Sequence, residues 1–421
     1  MEHVTAPQSE TTPLTPTCPE KDSPPDIITI DADGDLHLTV GENKCTGVLS
    51  TPHRPPGPST SRGSRASHMV LEGKRGRGGS ARLSKYRYLK SAREHKVQGQ
   101  QEHQHKKAVT YIVCSKTLSR SSPFFKRLLY GGFVESKKLE AGGQWTVYLP
   151  EDEPAPMKTI LNVAHGRFDQ VPIKWGTVED LYLLTVLTDK YDLTHLLRPW
   201  AQRWMQAIRR SYEDEKGGVW SGSPSEVAPQ CLWIAWELGD EDSVELLVND
   251  IAYGSRLDSS GRLNHMHWKK SELVFKDVME PPGMVDLIHA QRLEAINGLL
   301  QPIRSAIDEA AKGACSFGET GCEAMLVGSI IQSLAGGGIW PLPENSAWEL
   351  SAEALEFRIE DIMFFENTLD PTHAFCADTF IQEKNIKSTA EWKKPELTDL
   401  HKRHLAAQAK KSGLKSSDTN L

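Results

Sequence analysis

The chain has 421 residues, of which 38% are hydrophobic and 25% are charged, and its net charge is −7. The hydrophobic fraction lies below the roughly 45–50% of ordinary globular domains, so we expect folded domains together with segments that do not fold. No run approaches the ~18 apolar residues of a membrane helix, and the acidic, proline-rich start lacks the pattern of a secretory signal. The seven cysteines include no C-x-x-C pair. We therefore expect an intracellular protein, in the cytoplasm or the nucleus, without a disulfide framework.

Residues 1–25 are rich in Pro, Thr, Ser and Glu, which predicts a disordered tail. Folding begins near Asp26, where "DIITIDADGDLHLTV" alternates on both sides of Asp33-Gly34. This pattern predicts two strands joined by a tight hairpin turn. The alternation then stops, and it returns only in "VTYIVCSKTL", which begins at Val109.

The segment 46–108 is predicted to be a basic, low-complexity, disordered insert. Between residues 51 and 107 there are fourteen Lys and Arg against three acids, a local charge of +11, so the rest of the chain carries −18. Without the insert, "LHLTVGENKCT" and "YIVCSKTLS" read as one β-hairpin with "GENK" as its turn. Loop closure costs only about 0.6 kcal/mol per doubling of loop length, so a hairpin tip tolerates such an insertion. A genuine insertion and an in-frame retained intron both fit this pattern, and sequencing the transcript distinguishes them.

From Val109 the predicted elements are a strand, two short helices, the strand "QWTVYLPED" and three longer helices. Ser122 followed by Pro123 predicts the start of the second helix, and Thr177 predicts another. In "THLLRPWAQRWMQAI" a stripe that includes Trp200 faces one side of a helix. We expect Trp200 to pack against the sheet, and Trp200→Ala to cost ~3–5 kcal/mol of stability.

This order of strands and helices, with its short motifs, resembles a BTB/POZ domain. The sequences of the motifs resemble those of the BTB proteins abundant in fungi. The motifs are "VCSKTLSRSSPFFKRLL", "GGFVES", "VYLPEDEPAPMKTIL" and "LLTVLTDKYDLTHLLRPWAQRWM". The residues that carry the resemblance are Lys116, Leu118, Ser122, Pro123, Phe125, Phe133, Glu135, Ser136, Asp189, Lys190, Tyr191 and Trp200. It covers residues 26–210 apart from the insert. The chain departs from the family at Cys114-Ser115, where many members have Ala-His.

The resemblance implies a small sheet flanked by helices and a non-enzymatic protein–protein interaction module that mediates self-association or adaptor binding. An alternative that it implies is a substrate adaptor of a cullin-RING ubiquitin ligase, whose C-terminal region holds the substrate. In related domains, dimerisation uses a helix and a strand before the first core strand. The proline-rich residues 1–25 do not predict such a helix, which argues against that dimer.

Residues 211–385 are predicted to form a mainly helical C-terminal region, with a break between two helices at Gly239-Asp240. Residues 386–421 are expected to be a tail that frays. The predicted fold class is therefore α+β, with a BTB/POZ-like domain followed by this helical region.

No motif of a hydrolase, nucleotide-binding enzyme or metalloprotease occurs in the sequence, so we expect a protein without catalytic activity or cofactor. The basic insert contains "GKRGRGGSARLSKYRYLK", in which Tyr86 and Tyr88 are able to stack on bases. A nucleic-acid-associated nuclear regulator is therefore a second alternative. One RGG is weak evidence for nucleic-acid binding, so we favour the interpretation of the insert as a solvated, charge-rich spacer. We expect neither nucleic acid nor a membrane as partner.

Four residues have side chains that suit tetrahedral zinc: Cys315 and Cys322 form a C-x6-C pair, and His373 and Cys376 form an H-x2-C pair. Ligand pairs of zinc sites usually lie two to four residues apart, and C-x6-C is longer. The sequence therefore favours packing at the ends of loops over a metal site, and we expect no bound metal.

Overall fold

In a computed structural model of the chain, the described residues are 25–42, 44–45, 105–136, 143–213, 224–267, 270–313, 315, 317–360, 371–373, 376, 379 and 393–414. The predicted tail up to residue 24 and the insert from 46 to 104 lie outside them. The described residues form a mixed α+β structure, as predicted. None of their helices is long and apolar enough to cross a membrane.

Nine short strands form three sheets in the described part of the chain. They are β1 (Asp26–Thr29), β2 (Leu36–Val40), β3 (Lys44–Cys45), β4 (His105–Lys106), β5 (Val109–Val113), β6 (Thr146–Leu149), β7 (Arg256–Leu257), β8 (Leu263–His267) and β9 (Lys270–Leu273). The main sheet has the order β1-β5-β2-β6, β3 pairs with β4, and β7, β8 and β9 form a small antiparallel sheet. This last sheet lies in the region that the sequence predicts to be mainly helical.

Eleven α-helices are present in the same residues. They are α1 (Ser115–Ser121), α2 (Pro123–Tyr130), α3 (Pro154–Ala164), α4 (Val178–Tyr191), α5 (Ala201–Glu213), α6 (Pro224–Leu238), α7 (Glu241–Gly254), α8 (Met284–Ala310), α9 (Thr320–Gly336), α10 (Ala352–Glu360) and α11 (Asp399–Ser412). Helices α1 to α5 follow the predicted order. The remaining six belong to the C-terminal part of the chain.

The first two strands do not form the predicted hairpin with each other. β5 lies between them, parallel to β1 and antiparallel to β2. The chain does turn where Asp33-Gly34 predicts it, since the Gly34 N–H donates to the Asp31 carbonyl at 3.1 Å. The turn is thus present but the predicted pairing is wrong, because the turn carries the chain across the end of β5.

The close approach of this turn to β5 explains why residue 34 is a glycine. A Cβ atom on Gly34 would lie 2.8 Å from Ile112 Cγ2 and 2.8 Å from the backbone nitrogen of Val113, which leaves no room for a side chain. The next residue, Asp35, accepts hydrogen bonds from the Ser115 N–H and the Ser115 hydroxyl, both at 2.7 Å. The turn therefore also fixes the start of α1, since a carboxylate satisfies a free N–H of the first helical turn.

β2 and β5 pair directly, which confirms the prediction of a hairpin that continues across the insert. Their register places Leu36 opposite Val113. The pairing extends into β3 and β4, where Lys44 lies opposite Lys106. Lys44 is therefore in a strand, so "GENK" is not the hairpin turn, and the second strand resumes before residue 108.

The predicted helix starts are confirmed by their caps. The Ser122 hydroxyl accepts the N–H of Phe125 at 3.1 Å, and the Thr177 hydroxyl accepts the N–H of Asp180 at 3.1 Å. Asp240 caps α7 directly after the end of α6, which confirms the predicted break. These starts depend on contacts within a few residues, so the local sequence determines them.

The first hydrophobic core extends from the main sheet into the C-terminal region. Its members include side chains of the sheet, of α2 to α7 and of the first turns of α8, such as Leu38, Phe125, Leu184, Trp233 and Ile288. Helix α4 packs against α6, and α6 packs against α7. Among the described residues, the packing therefore continues from the region predicted to be BTB-like into the helices that follow it.

A second, smaller core is formed by the rest of α8 with α9 and α10. Helix α8 belongs to both, because Met284 and Ile288 lie in the first core and Ile296 to Ile303 lie in the second. The Arg292 side chain lies between these two groups and is fully buried. It donates to the carbonyls of Ser255, Trp348 and Leu350, so it joins α8 to two other segments.

The predicted frayed tail is wrong for residues 399–412, which form α11. This helix packs against α6 and the turn at Thr194–Leu197. Its Ser412 hydroxyl donates to the Leu238 carbonyl at 2.6 Å, and Gly239 lies so close that a Cβ would be 2.1 Å from the Ala409 nitrogen. An amphipathic helix of this length is stabilised mainly by such packing, which the local sequence does not reveal.

A buried carboxyl lies at the junction of α6 and α11. Glu237 accepts hydrogen bonds from the Thr194 hydroxyl and from Gln408 Nε2, the latter at 2.6 Å. Burial raises the pKa of Glu237 well above its usual value, and the negative charge of Asp189 raises it further. The folded chain therefore holds a proton on Glu237 at pH values where the unfolded chain has lost it.

We expect the contribution of Glu237 to the stability of the protein to fall as the pH rises above about 4.3, the ordinary pKa of a glutamate, because the folded-state pKa of Glu237 is raised. Glu237→Gln should remove this part of the pH dependence and stabilise the protein at pH 8 relative to the parent. The Gln408 Oε1 atom has no partner among the described residues, so it can accept the new amide N–H after rotation of its own amide. Urea unfolding of both proteins at pH 5 and pH 8 measures the difference. The exposed Glu241→Gln is the control, and an unchanged pH dependence in Glu237→Gln would contradict the prediction.

Candidate functional site

Most residues of the family-like motifs have structural positions. Leu118, Phe125 and Tyr191 are buried in the first core, and the rings of Phe125 and Tyr191 stack with centroids 4.8 Å apart. Ser122 caps α2 and donates to the Tyr191 carbonyl at 2.6 Å. Two further members of the set are exposed, namely Lys116 and Pro123. The motif therefore fixes α2 against the end of α4.

A buried aspartate that the sequence analysis did not single out joins the "D-K-Y" motif to the main sheet. Asp152 follows β6 and is buried. Lys190 Nζ lies 2.6 Å from its carboxylate, and the Tyr191 hydroxyl donates to the same group. Asp189 is half-buried, and its negative charge raises the pKa of Glu237. The signal for Asp152 was its position directly after a predicted strand.

Trp200 is only half-buried, so the expectation that it fills the core against the sheet is not met. Its ring stacks on Trp204 with centroids 6.2 Å apart and contacts the exposed Phe168. Trp204 is the buried member of the pair, at 1% exposure. The stripe predicted on α5 is correct, but its core position lies one turn later.

The turn after α2 is anchored at both ends. The Ser136 hydroxyl donates to the Leu128 carbonyl at 2.7 Å, and Trp145 Nε1 donates to the Glu135 carbonyl at 2.8 Å. These bonds tie the turn to α2 on one side and to the start of β6 on the other. The contacts of Glu135 and Ser136 in "GGFVES" therefore hold this turn between α2 and β6.

This anchored turn presents apolar side chains to solvent. Tyr130, Phe133 and Val134 are 47%, 54% and 82% exposed, and we call them the α2-end surface. The Phe133 ring lies over Gly131, where a Cβ would be 3.2 Å from its Cε2 atom. Single exposed apolar residues are common, whereas these three lie within five residues of one another, at the end of α2 and on the turn that follows it.

In the C-terminal region, the four residues with zinc-type side chains converge. The sulfur atoms of Cys315, Cys322 and Cys376 and a ring nitrogen of His373 all lie within 4.8 Å of one another. The His373 Nδ1 atom is 3.3 Å from Cys315 Sγ and 3.8 Å from Cys376 Sγ. Cys322, His373 and Cys376 are buried, and Cys315 is half-buried. Their spacing in the sequence did not predict this convergence.

The first cysteine lies in a tight turn directly before α9. The Gly318 N–H donates to the Cys315 carbonyl at 3.0 Å, and the Phe317 N–H donates to Cys315 Sγ at 3.4 Å. Gly318 has φ +67°, a conformation that favours glycine, so this residue type suits the turn. Cys322 follows in the first turn of α9.

The surroundings of two of the thiols differ. Burial raises the pKa of Cys322 to about 12, and its hydrogen bonds with Cys315 and Cys376 add to this effect. Burial also raises the pKa of Cys315, but the backbone N–H groups of Glu319 and Phe317 donate to its sulfur and lower the pKa to about 7. Cys315 is therefore ionised more readily than Cys322.

The basic insert, with Tyr86 and Tyr88, lies outside the described residues, so the nucleic-acid alternative stays a prediction. Comparisons of the chain with protein-family models, with curated proteins and with solved structures found no match.

Proposed function

We propose that the protein is a non-enzymatic protein–protein interaction module of the BTB/POZ type. The observation that carries the proposal is the α2-end surface, an apolar patch on a turn that is fixed by hydrogen bonds to α2 and β6. A fixed apolar patch binds a partner at low entropic cost, because little order has to be gained on binding.

The arrangement of the elements supports the family part of the proposal. Within the main sheet, β5, β2 and β6 are adjacent, with β2 antiparallel to β5 and parallel to β6. Helices α1 and α2 follow β5, and α3 and α4 follow β6. Of the residues that carry the resemblance, Leu118, Phe125 and Tyr191 are in the core beneath these helices, and Phe133, Glu135 and Ser136 are on the anchored turn.

The partner that we assign to the α2-end surface is a helical scaffold protein of the cullin class, as the resemblance implies. Phe133 and Val134 are the side chains that it would cover, with the exposed Glu135 at the rim. The first core continues from the main sheet through α6 and α7, so a substrate held by the C-terminal region would be presented in a fixed orientation. Self-association through the same surface is the other outcome that the experiment distinguishes.

The test measures binding of the purified chain to purified cullin N-terminal domains by calorimetry, and its mass in solution by light scattering. We expect Phe133→Asp combined with Val134→Asp to weaken binding at least tenfold while the melting temperature stays unchanged, because both side chains are exposed. Phe357→Asp is the matched control, since Phe357 is 63% exposed on α10, away from the proposed surface. A loss of dimer in the double variant would assign the surface to self-association, and the absence of both activities in the parent would overturn the proposal.

A further inference from the structure

We propose that Cys315, Cys322, His373 and Cys376 bind one zinc ion, which joins the residues around 371–376 to the start of α9. The site lies in the C-terminal region, apart from the α2-end surface. It is therefore independent of the proposed function, and each can fail without the other.

The distances fit a tetrahedral ion. Zinc binds cysteine sulfur at ~2.3 Å and histidine nitrogen at ~2.0–2.1 Å, which places neighbouring ligand atoms roughly 3.5–3.8 Å apart. The His373 Nδ1 atom lies 3.3 Å from Cys315 Sγ and 3.8 Å from Cys376 Sγ, and no pair in the group exceeds 4.8 Å. Contraction by about 1 Å at the widest pair completes the tetrahedron, and rotations about the side-chain bonds supply a movement of that size.

The donor set has the chemistry that zinc prefers. Three thiolates and one imidazole form one of the common structural zinc sites, and such soft ligands disfavour magnesium and calcium. Packing without an ion explains this arrangement of side chains less well than a bound zinc ion does. Thiols are weak hydrogen-bond donors. Without an ion, the convergence of three thiols and an imidazole at one buried point therefore adds little stability.

The local backbone supports the ligand turn. The Phe317 N–H points at Cys315 Sγ, and an N–H that donates to the sulfur stabilises the thiolate form that a metal requires. The Phe317 ring also stands edge-on to the His373 ring, with centroids 5.3 Å apart.

The long spacing between the first two cysteines, which argued against a metal, is explained by the structure. Cys315 lies in the turn and Cys322 lies on α9 itself, and the chain reverses at Gly318 between them. His373 and Cys376, three positions apart in the sequence, supply the second pair. The two pairs are distant in the sequence, so the ion would close a loop of roughly 50 residues in the unfolded chain and stabilise the smaller second core.

The test is elemental analysis of the full chain, purified under reducing conditions without added metal or chelator. We expect about one zinc per chain in the parent and less than about a tenth of that in Cys322→Ser and in His373→Ala, because a structural site needs all four ligands. Cys114→Ser is the matched control, since Cys114 is a free cysteine outside the group, and it should keep the zinc.

A second measurement protects the test against variants that fail to fold. Removal of zinc from the parent with a chelator should lower the melting temperature, and zinc but not magnesium should restore it. The metal-free parent titrated with cobalt(II) should develop the visible absorption of a tetrahedral, thiolate-bound ion.

Three results would overturn the proposal. One is a parent chain that holds no zinc after incubation with zinc under reducing conditions, with its thiols free. Another is a disulfide among the three cysteines in the chain purified under reducing conditions. The third is zinc that remains fully bound in Cys322→Ser, since the ion would then lie elsewhere.

Discussion

Trp204→Ala is expected to lower the free energy of unfolding by about 3–5 kcal/mol, because the side chain is 1% exposed and its loss leaves a large cavity. The ring lies between two other tryptophans, with centroid distances of 5.6 Å to Trp175 and 6.2 Å to Trp200. Trp175 precedes α4 and Trp200 directly precedes α5, so the two rings are held by different segments and do not collapse fully into the space. Urea unfolding of the parent and the variant measures the loss.

Trp204→Phe and Trp200→Ala are the controls for this prediction. Trp204 Nε1 has no partner among the described residues, so phenylalanine removes an unsatisfied donor while it keeps most of the apolar volume. We expect it to cost less than half as much as alanine. Trp200 is half-buried, so its replacement should also cost less. A loss in Trp200→Ala as large as that in Trp204→Ala would contradict the assignment of Trp204 as the core residue.

Arg292→Ala is expected to cost about 3–5 kcal/mol, because it removes the hydrogen-bond donor of three carbonyls, of which the contacts to Ser255 and Trp348 are buried. The guanidinium donates to Ser255 O at 3.2 Å, to Leu350 O at 2.7 Å and to Trp348 O. Burial lowers the pKa of Arg292 to about 10, so the group is still charged at neutral pH. The loss is again measured by urea unfolding at pH 7.

The control variants separate the role of the fork-shaped group from that of the charge. Arg292→Lys keeps the charge, but a lysine has no planar fork to reach three carbonyls, so we expect most of the loss to remain. Arg304→Ala removes an arginine on the same helix that is only half-buried and donates to Asn345 Oδ1 and Pro343 O, and it should cost about 1–2 kcal/mol. If Arg292→Ala is no more costly than Arg304→Ala, the three carbonyl contacts do not stabilise the attachment of α8 to these two segments.

The contrast between these two side chains shows what a sequence pattern can identify. Trp204 belongs to a stripe at helical spacing on α5, which is visible without a structure. Arg292 is a charged residue in a helix that also carries apolar positions, and by type it is expected at the surface. Its burial depends on segments about 40 to 60 residues away, so no local sequence pattern predicts that it is buried.

The main sheet illustrates the same division. The strands themselves, the turn at Asp33-Gly34 and the β2–β5 pairing across the insert follow from alternation and turn residues. The position of β5 between β1 and β2 does not follow from these local patterns. A strand has two edges, and its own sequence does not show which strand pairs with which edge. Close approach of Gly34 to Ile112 decides it in three dimensions.

The sequence by itself determined the helix starts at Ser122, Thr177 and Asp240, the strands of the main sheet, and the four residue types able to bind zinc, because caps and alternation act over a few residues. Only the tertiary structure decided that α11 packs on α6 and that Cys315 and Cys322 meet His373 and Cys376. The physical reason is that these contacts join segments about 50 to 170 residues apart, and their free energy comes from burial and convergence of side chains after the chain has folded.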